Sequence, residues 1–381
     1  MTVVLRSIPV IVGLTGCWFD MSNVASPCQA HTECEAGLVC LEGRCKPAST
    51  CDANEQCPAD LLCTGGRCAV PQQCEADTQC SADLVCRDGR CLVPTACEVR
   101  TECPTGFWCD DGLCLHEVFT NPLRLVFPTP TPTGINQHPT ATGDALELYF
   151  TSTGPDGTDD IYVSQRLSRN ASWGPLARPS FNSDTDADAA PGITGDGLTL
   201  YFASNRMTPS GDISNNIWMV TRASRSGAWS MPIYVEELSS PDGDFGGQPD
   251  DANLRFVLHR AEATSDIRRI FEATRNEVTD PWGPPIPLSD SINQARQQRG
   301  PCLANRDREL WFGRDVSNTP PAHDIFVATR ANVTEPFNSG VLVGALNSLA
   351  NDNDPWISPD GHVVFFTSDR EGALDLYEVQ R

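Results

Sequence analysis

The chain has 381 residues, of which 40% are hydrophobic, so it is longer than one ordinary domain and can bury a sizeable core. It carries 27 basic and 50 acidic residues, which gives a formal net charge of -23. The charge leaves no basic stripe to neutralise phosphates and argues against nucleic acid as a partner. The acidity suits solubility and mutual repulsion at a surface.

Residues 1–16 have the pattern of an export signal. Arg6 supplies a positive charge, an apolar run extends from Ser7 to Leu14, and the small residues Thr15 and Gly16 precede Cys17. The apolar run is far shorter than the roughly 20 residues of a membrane-spanning helix. The segment is therefore predicted to be cleaved.

The sequence Leu-Thr-Gly-Cys that ends at Cys17 resembles the lipobox of bacterial lipoproteins, in which signal peptidase II cuts before a cysteine that carries a diacylglycerol. The resemblance implies that Cys17 is lipidated and that residues 17–27 form an anchor and linker. Two or three acyl chains hold a protein stably on a membrane. Trp18 replaces the aspartate that signals inner-membrane retention in enterobacteria, which favours the outer membrane. The alternative is an ordinary secretory signal that contains a cysteine.

Residues 28–114 contain 16 of the 18 cysteines, arranged as four units with the spacing C-x5-C-x5-C-x4-C and a period of 23 residues. A dense, even set of cysteines behind an export signal indicates disulfides formed in an oxidising compartment. The predicted disulfide cysteines are Cys28, Cys34, Cys40, Cys45, Cys51, Cys57, Cys63, Cys68, Cys74, Cys80, Cys86, Cys91, Cys97, Cys103, Cys109 and Cys114.

Each unit is too small to bury a stabilising core, so cross-links must constrain the unfolded chain instead. Four cysteines allow three connectivities, and we expect the first to pair with the third and the second with the fourth. Zinc is the alternative, but structural zinc sites pair their ligands as C-x2-4-C, which gaps of five do not match. Steps such as Leu38-Val39-Cys40 and Gly89-Arg90-Cys91 make these units similar to the cysteine-rich modules of the EB and Dickkopf N-terminal type. That resemblance implies spacers or binding knobs, and we favour spacers.

Residues 115–381 contain a longer repeat, in which a strand of the type Leu-Tyr-Phe follows a turn and precedes a strand of the type Asp-Ile-Tyr. The leading prolines of its five copies are Pro139, Pro191, Pro249, Pro301 and Pro355. The third copy departs most, because it lacks the Asp-Gly turn. A period near 50 of short strands bounded by Asp-Gly and Pro turns is typical of β-propeller blades. The sequence therefore predicts an all-β chain, a five-bladed β-propeller preceded by four small disulfide-rich modules.

The fifth copy contains Ser358-Pro359-Asp360-Gly361, a strand from Phe365 to Arg370, and Asp375-Leu376-Tyr377. This sequence is similar to the TolB-type propeller repeat. In that family the propeller works by docking partners, so the resemblance implies a binding role.

A second landmark supports the count of five, because an aromatic residue follows an arginine by seven positions in four copies and is predicted to begin a fourth strand. The pairs are Arg166 and Trp173, Arg222 and Trp229, Arg275 and Trp282, and Arg330 and Phe337. The fifth copy has no such continuation, whereas Phe119 to Leu123 repeats the spacing of Trp229 to Ile233. Residues 121–127 are therefore predicted to pair with residues 375–379 and close the ring.

No nucleophile elbow, H-E-x-x-H motif or phosphate-binding glycine loop occurs, and the six histidines show no metal-ligand spacing. No cofactor or metal centre is predicted. Five-bladed propellers include glycosidases, so the adjacent carboxylates Asp250 and Asp251 are the catalytic candidates. The plainer interpretation is that they belong to a turn.

Two acidic loops precede leading prolines, and their alternating oxygens are a candidate Ca²⁺ site, although Asp and Asn also form self-satisfied turns. Their residues are Asp184, Asp186 and Asp188 in one loop, and Asn351, Asp352, Asn353 and Asp354 in the other.

Arg206, Arg260 and Arg370 are assigned to one repeat position, with Arg314 two residues off it. We favour structural pairing with an Asp or Asn of the following strand, such as Asp375, over a ring for an acidic ligand. Cys302 has no cysteine near it in the sequence and is expected to be a buried, small apolar residue.

Together these features favour an outer-membrane lipoprotein of the cell envelope, whose non-catalytic propeller binds an envelope protein or glycan. The alternative is an envelope glycoside hydrolase or lyase that uses the propeller channel.

Replacing the lipidated cysteine tests the anchor. We expect the Cys17→Ser variant to move from the membrane fraction to the soluble fraction of cells, because it lacks the thiol that forms the thioether. Intact mass of the mature wild-type chain should show a diacylated N-terminus. A wild-type N-terminus without acyl chains would contradict the assignment.

Overall fold

The computed structural model shows an all-β chain that divides into two compact units, Met1–Pro94 and Thr95–Arg381. It describes residues 38–41, 44–47, 50, 57, 61–64, 67–69, 85–87, 90–92, 107–110, 113–116, 119–128, 134–154, 157–262, 265–294, 296–318 and 321–380. The predicted signal 1–16, Cys17 and the linker 17–27 lie outside these residues, as do Cys28, Cys34, Cys51, Cys74, Cys80, Cys97 and Cys103. Among the described residues, none forms a helix with the length and apolarity to cross a membrane.

Each cysteine-rich unit contains one antiparallel hairpin in which its third and fourth cysteines face each other. The hairpins are β1 (Leu38–Leu41) with β2 (Arg44–Pro47), β3 (Leu62–Thr64) with β4 (Arg67–Ala69), β5 (Val85–Arg87) with β6 (Arg90–Leu92), and β7 (Phe107–Asp110) with β8 (Leu113–His116).

A disulfide joins Cys57 to Cys68, the second and fourth cysteines of the second unit, with their Cα atoms 5.4 Å apart. This bond agrees with the pairing expected for those two positions. Cys40, Cys45, Cys63 and Cys91 also form disulfides. Val39, Leu61 and Cys68 form a small buried cluster, so a few apolar contacts supplement the cross-links.

The remaining strands form five antiparallel sheets, which are the five predicted propeller blades. The strands are β9 (Leu123–Arg124), β10 (Asn136–Ala141), β11 (Glu147–Thr153), β12 (Asp159–Gln165), β13 (Asp188–Ile193), β14 (Thr199–Ser204), β15 (Asn216–Thr221), β16 (Ile233–Tyr234), β17 (Asp244–Pro249), β18 (Arg255–Glu262), β19 (Ser265–Thr274), β20 (Ile286–Pro287), β21 (Gln298–Ala304), β22 (Glu309–Asn318), β23 (Pro321–Thr329), β24 (Val341–Leu342), β25 (Asp352–Ile357), β26 (Val363–Ser368) and β27 (Asp375–Gln380). In the described part of the chain, the helical content is a single 3-10 turn, Glu236–Leu238.

The blades are meanders whose strands follow one another in sequence order. Their orders are β10-β11-β12 in blade 1, β13-β14-β15-β16 in blade 2, β17-β18-β19-β20 in blade 3, β21-β22-β23-β24 in blade 4 and β25-β26-β27-β9 in blade 5. The second strands are covered on both faces by neighbouring blades, and every residue of β26 is buried. Their side chains are accordingly apolar or β-branched in succession, as in Leu148-Tyr149-Phe150.

The ring closes as predicted, because β9 pairs with β27 in the register Arg124↔Tyr377 and Leu123↔Glu378. The amide of Leu125 continues the ladder by donating to the carbonyl of Leu376 at 2.9 Å. Phe127 is buried and stacks on Phe150 of blade 1 with ring centroids 5.3 Å apart. The count of five blades is confirmed, and within the predicted closing segment 121–127 the pairing covers Leu123 to Leu125.

The aromatic landmark has a different role from the one predicted. The fourth strands begin four residues after the aromatic, as in Trp229 and Ile233, so the aromatic itself does not start the strand. Each aromatic instead packs under the arginine seven residues before it, at 4.3 Å for Arg166 over Trp173, 4.5 Å for Arg222 over Trp229, 4.2 Å for Arg275 over Trp282 and 4.2 Å for Arg330 over Phe337. Such cation–π contacts stabilise by roughly 2 kcal/mol when desolvated.

The third blade keeps a turn at the place where its Asp-Gly signature is missing, so the expectation that this turn is lost is wrong. Asp250 donates its amide to Arg255 and closes the turn as Thr142 does with Glu147 in blade 1. Asn253 takes the left-handed position with a φ of 54°, a conformation that Asn tolerates almost as Gly does. In blade 3, Gly247 therefore occupies the position that the leading proline holds in the other blades, and Pro249 lies two residues beyond it.

The closing segment offers two neighbouring side chains for a test of ring closure. We expect Phe127→Ala to lower the free energy of unfolding by about 3 to 5 kcal/mol, the usual cost of a buried Phe→Ala cavity. Val126→Ala is the control, because Val126 is 77% exposed, and it should change stability by less than about 0.5 kcal/mol. Equal, small effects of the two variants in chemical denaturation would show that the segment does not hold the ring.

Candidate functional site

The first strand of every blade is interrupted by a β-bulge at the propeller axis. One residue of each bulge has a left-handed φ: 53° at His138, 48° at Ala190, 97° at Gly246, 48° at Gly300 and 50° at Asp354. Three of these are not glycine, and a left-handed backbone costs such residues roughly 1 to 3 kcal/mol. Strain of this kind, repeated around one axis, marks the axis as a candidate functional site.

The bulges enclose a small cavity, called here the axial socket, of about 20 Å³. This volume accommodates one group of the size of a water molecule. Its polar lining comes from His138, His259, Asp354 and Gln248. The Nε2 atom of His138 lies 3.6 Å from Oδ2 of Asp354. Within the described residues, the Nδ1 atoms of both histidines and Oδ1 of Asp354 have no hydrogen-bond partner.

Charged groups outside the socket lining act on its buried histidine. Burial, reinforced by the charges of Arg268, His138 and Arg299, lowers the pKa of His259 well below its usual range. His259 is therefore neutral, with one donor nitrogen and one acceptor nitrogen. Burial lowers the pKa of His323, and the charge of the nearby Arg299 lowers it further. The carboxylate of Asp315, 2.5 Å away, opposes this shift.

Further along the axis, where the first strands end, lies a second cavity of about 420 Å³, called here the axial funnel. Its lining includes the turns that follow the first strands of blades 3 and 4, with Asp250, Asp251, Arg306 and Asp307. Cys302 lies at its wall as a buried free thiol, as expected, and burial raises the pKa of this thiol to about 12.

The two predicted catalytic candidates have different roles. Asp250 is buried, and its Oδ1 atom accepts the amides of Leu254 at 2.7 Å and Arg255 at 2.8 Å, so it caps a turn. Asp251 reaches the funnel opening, where its carboxylate lies over Gly195. Desolvation, followed by the charges of Asp250 and Asp360, raises the pKa of Asp251 to about 6, although the residue keeps an exposed surface.

Asp307 is a third funnel carboxylate, and it was not among the residues predicted from the sequence. Burial, followed by the charge of Asp250, raises the pKa of Asp307 to about 7, although Arg255 and Arg330 oppose the shift. The Nε atom of Arg255 lies 3.5 Å from its Oδ2. Asp307 occupies the left-handed turn position that Ala145, Gly197 and Gly361 hold in other blades. The sequence signal that could have identified Asp307 is a carboxylate at a turn position that favours glycine.

The repeated arginines form structural pairs, but not with Asp375, which pairs with Arg124. Their partners are the first residues of the first strands: Arg206 with Asp188, Arg260 with Asp244 and Arg370 with Asp352. The register also corrects the repeat assignment. Arg260 and Arg314 are equivalent, opposite Asp244 and Gln298, whereas Arg206 and Arg370 lie two residues further along.

The acidic side chains of the two loops considered for Ca²⁺ have separate partners. Asp184 is exposed and lies 3.4 Å from Arg178, Asp186 accepts from Ser183, and Asp188 faces Arg206. In the other loop, the carboxylate of Asp352 binds Arg370, and that of Asp354 lines the axial socket. In the part of the chain that the structure describes, no three or more His, Cys, Asp or Glu side chains are arranged to hold a metal ion.

The chain is similar in fold to solved propellers. It is 14% identical to the GH43 endo-arabinanase from Bacillus licheniformis, covering 65% of this chain and 94% of that one with a TM-score of 0.47. It is 13% identical to a thermostable family-43 glycoside hydrolase, covering 67% and 91% with a TM-score of 0.46. For TolB from Acinetobacter baumannii the values are 12% identity, 65% and 55% coverage, and a TM-score of 0.39. No sequence model of a known protein family matches the chain, and no curated protein matches it.

The class that fold and site define is a five-bladed β-propeller with two polar cavities on its axis. At these identities the likeness concerns the fold alone.

The raised pKa of Asp307 makes stability depend on pH in a defined direction. Its folded-state pKa, about 7, lies above the ordinary value of 3.8, so the native state binds the extra proton and stability falls as pH rises between these values. We expect Asp307→Asn to be more stable than the wild type at pH 8 by on the order of 1 to 3 kcal/mol, after solvent screening, and to lose this advantage at pH 4.

Asp184→Asn is the control, because its side chain is 94% exposed. Chemical denaturation at the two pH values makes the comparison. If the difference in stability between Asp307→Asn and the wild type is the same at pH 4 and pH 8, the raised pKa is contradicted. Such a constant difference would come from the tolerance of Asn for a left-handed backbone, which does not depend on pH.

Proposed function

We propose that the chain is a surface lipoprotein of the cell envelope, anchored to the outer membrane through Cys17, and that its propeller binds partners along the axis without catalysis. The axial funnel is the docking site for an envelope protein. A basic side chain of that partner enters the funnel.

The observation that carries this proposal is the charge of the funnel. Asp251 and Asp307 line it together, and desolvation followed by the charge of Asp250 raises the pKa of each carboxylate, although Asp251 keeps an exposed surface. Among the described residues, Asp251 has no hydrogen-bond or ion-pair partner. A lysine or arginine head group would relieve this repulsion and give Asp251 the ion pair that it lacks among the described residues.

The shape of the funnel supports the same role. Its volume of about 420 Å³ lies in the usual range of ligand pockets. Its rim consists of short turns on neighbouring blades, and the amide of Gly143 donates to the carbonyl of Gly195 across one blade boundary at 2.9 Å. Rim turns that are tied to one another present a preorganised opening to the partner.

A glycoside hydrolase or lyase is the second candidate, and the pKa values of the funnel acids favour it specifically. A carboxylic acid with a pKa of about 6 or 7 is suited to donate a proton at neutral pH, and most glycosidases use two carboxyl groups at one cavity. Asp251 and Asp307 would be that pair.

Capture from the source envelope distinguishes the candidates. Immobilised wild-type protein should enrich a defined set of envelope proteins, and Asp251→Asn should reduce that enrichment by about tenfold, the expected cost of a lost charge pair. The capture should also weaken with increasing salt, because the contact is electrostatic.

Asp184→Asn, an exposed acid replaced in the same way, should capture like the wild type. Equal capture by wild type and Asp251→Asn would refute docking in the funnel. If the wild type instead releases reducing ends from envelope polysaccharide and Asp307→Asn does not, the hydrolase replaces the binding protein.

A further inference from the structure

The polar atoms around the axial socket make an incomplete hydrogen-bond network. Asp354 is 6% exposed and His259 is 2% exposed, yet Oδ1 of the first and Nδ1 of the second have no partner within the described residues. Nδ1 of His138 likewise has no hydrogen-bond partner within the described residues. Leaving a buried polar group unpaired costs roughly 1 to 3 kcal/mol, more when it is charged, so three such atoms around one cavity indicate a ligand.

The size of the socket limits that ligand to a single small group. At about 20 Å³ it holds one oxygen-sized group and excludes a phosphate. Its walls cannot easily yield, because the bulges of neighbouring blades are in close contact. A Cβ atom added at Gly300, for example, would lie 2.5 Å from Oδ1 of Asp354.

The charges around the socket oppose one another. Asp354 is the acidic residue of the socket lining, whereas Arg268 and Arg299 lie outside the lining and act on His259 through their positive charges. The Nε and Nη2 atoms of Arg299 both donate to Oε1 of Gln297, at 3.3 Å and 2.9 Å. Because charges of both signs lie near the cavity, it favours neither an ammonium nor a carboxylate. A neutral polar group is favoured there instead.

We infer that the axial socket binds a hydroxyl group of a carbohydrate. A hydroxyl donates one hydrogen bond and accepts others, so it can donate to Asp354 and accept from a histidine N–H at the same time. His138 is partly exposed at the socket, which leaves room for the rest of a sugar ring outside the cavity. This site is separate from the funnel, so the propeller would hold a glycan and a protein partner at different depths of one axis.

Ligand-observed NMR tests the socket with defined probes. Saturation-transfer spectra of the full chain are recorded with glucose, galactose, N-acetylglucosamine and rhamnose, each at millimolar concentration. We expect at least one sugar to receive saturation from the wild type. Asp354→Asn and His259→Leu should each weaken that binding roughly tenfold to a hundredfold, as expected for a lost hydrogen bond to a buried or charged group.

Two further variants distinguish sugar binding in the socket from sugar binding in the funnel and from a general effect of losing one negative charge. Asp184→Asn, an exposed acid, and Asp251→Asn, in the funnel, should both retain sugar binding.

Circular dichroism establishes that each variant is folded, and Asp354→Asn alone decides the case if His259→Leu does not fold. No saturation of any sugar by the wild type, or unchanged binding by folded Asp354→Asn, overturns the inference and leaves the socket to a water molecule. Loss of sugar binding in Asp251→Asn would move the glycan to the funnel.

Discussion

The pairing of Leu123 and Arg124 with the last strand of blade 5 is the constraint on which the rest of the propeller depends. Without it, β27 would expose a free edge, which in a sheet invites pairing with other chains. With it, the five first strands are held around a common axis, and their bulges meet there. Both axial cavities are therefore consequences of closure, since each is lined by residues from several blades.

A repeated contact between blades reinforces the ring. In three blades, the arginine directly after the third strand lies over the aromatic residue seven positions later and reaches a carboxylate of the preceding blade. Arg222 binds Glu147 at 2.5 Å, Arg166 binds Glu378 at 2.9 Å, and Arg330 binds Glu272 at 3.1 Å. The side chains of Arg166 and Arg222 are almost fully buried, and their carboxylate partners avoid the cost of an unpaired buried ion. The acidic chain thus uses most of these arginines for architecture.

Much of the fold could be predicted from the sequence because propeller blades repeat the same turn and strand residues. The closing segment was recognisable, since Phe119 to Leu123 has the spacing of a fourth strand. The third blade was misaligned by two residues because Gly247 replaces the leading proline while Pro249 stands nearby. The partner of Arg260 was not predictable, because Asp244 is brought opposite it only by the strand register.

The axial site was less accessible to sequence reasoning. Asp251 was named as a candidate, but Asp307 lies on another blade and joins it only through the closed ring. The same is true of His138 and His259, which have no metal-ligand spacing yet line the socket together from two blades. Their chemistry depends on burial and neighbouring charge, which no local sequence pattern encodes.

Hydrogen–deuterium exchange of the full chain, with and without its captured envelope partner, tests the central claim that function resides on the axis. We predict slower exchange at the funnel turns, residues 250–253 and 304–307, and no change at the outer strands, residues 286–287 and 341–342. Protection of the outer strands with unchanged exchange at the funnel turns would contradict this claim.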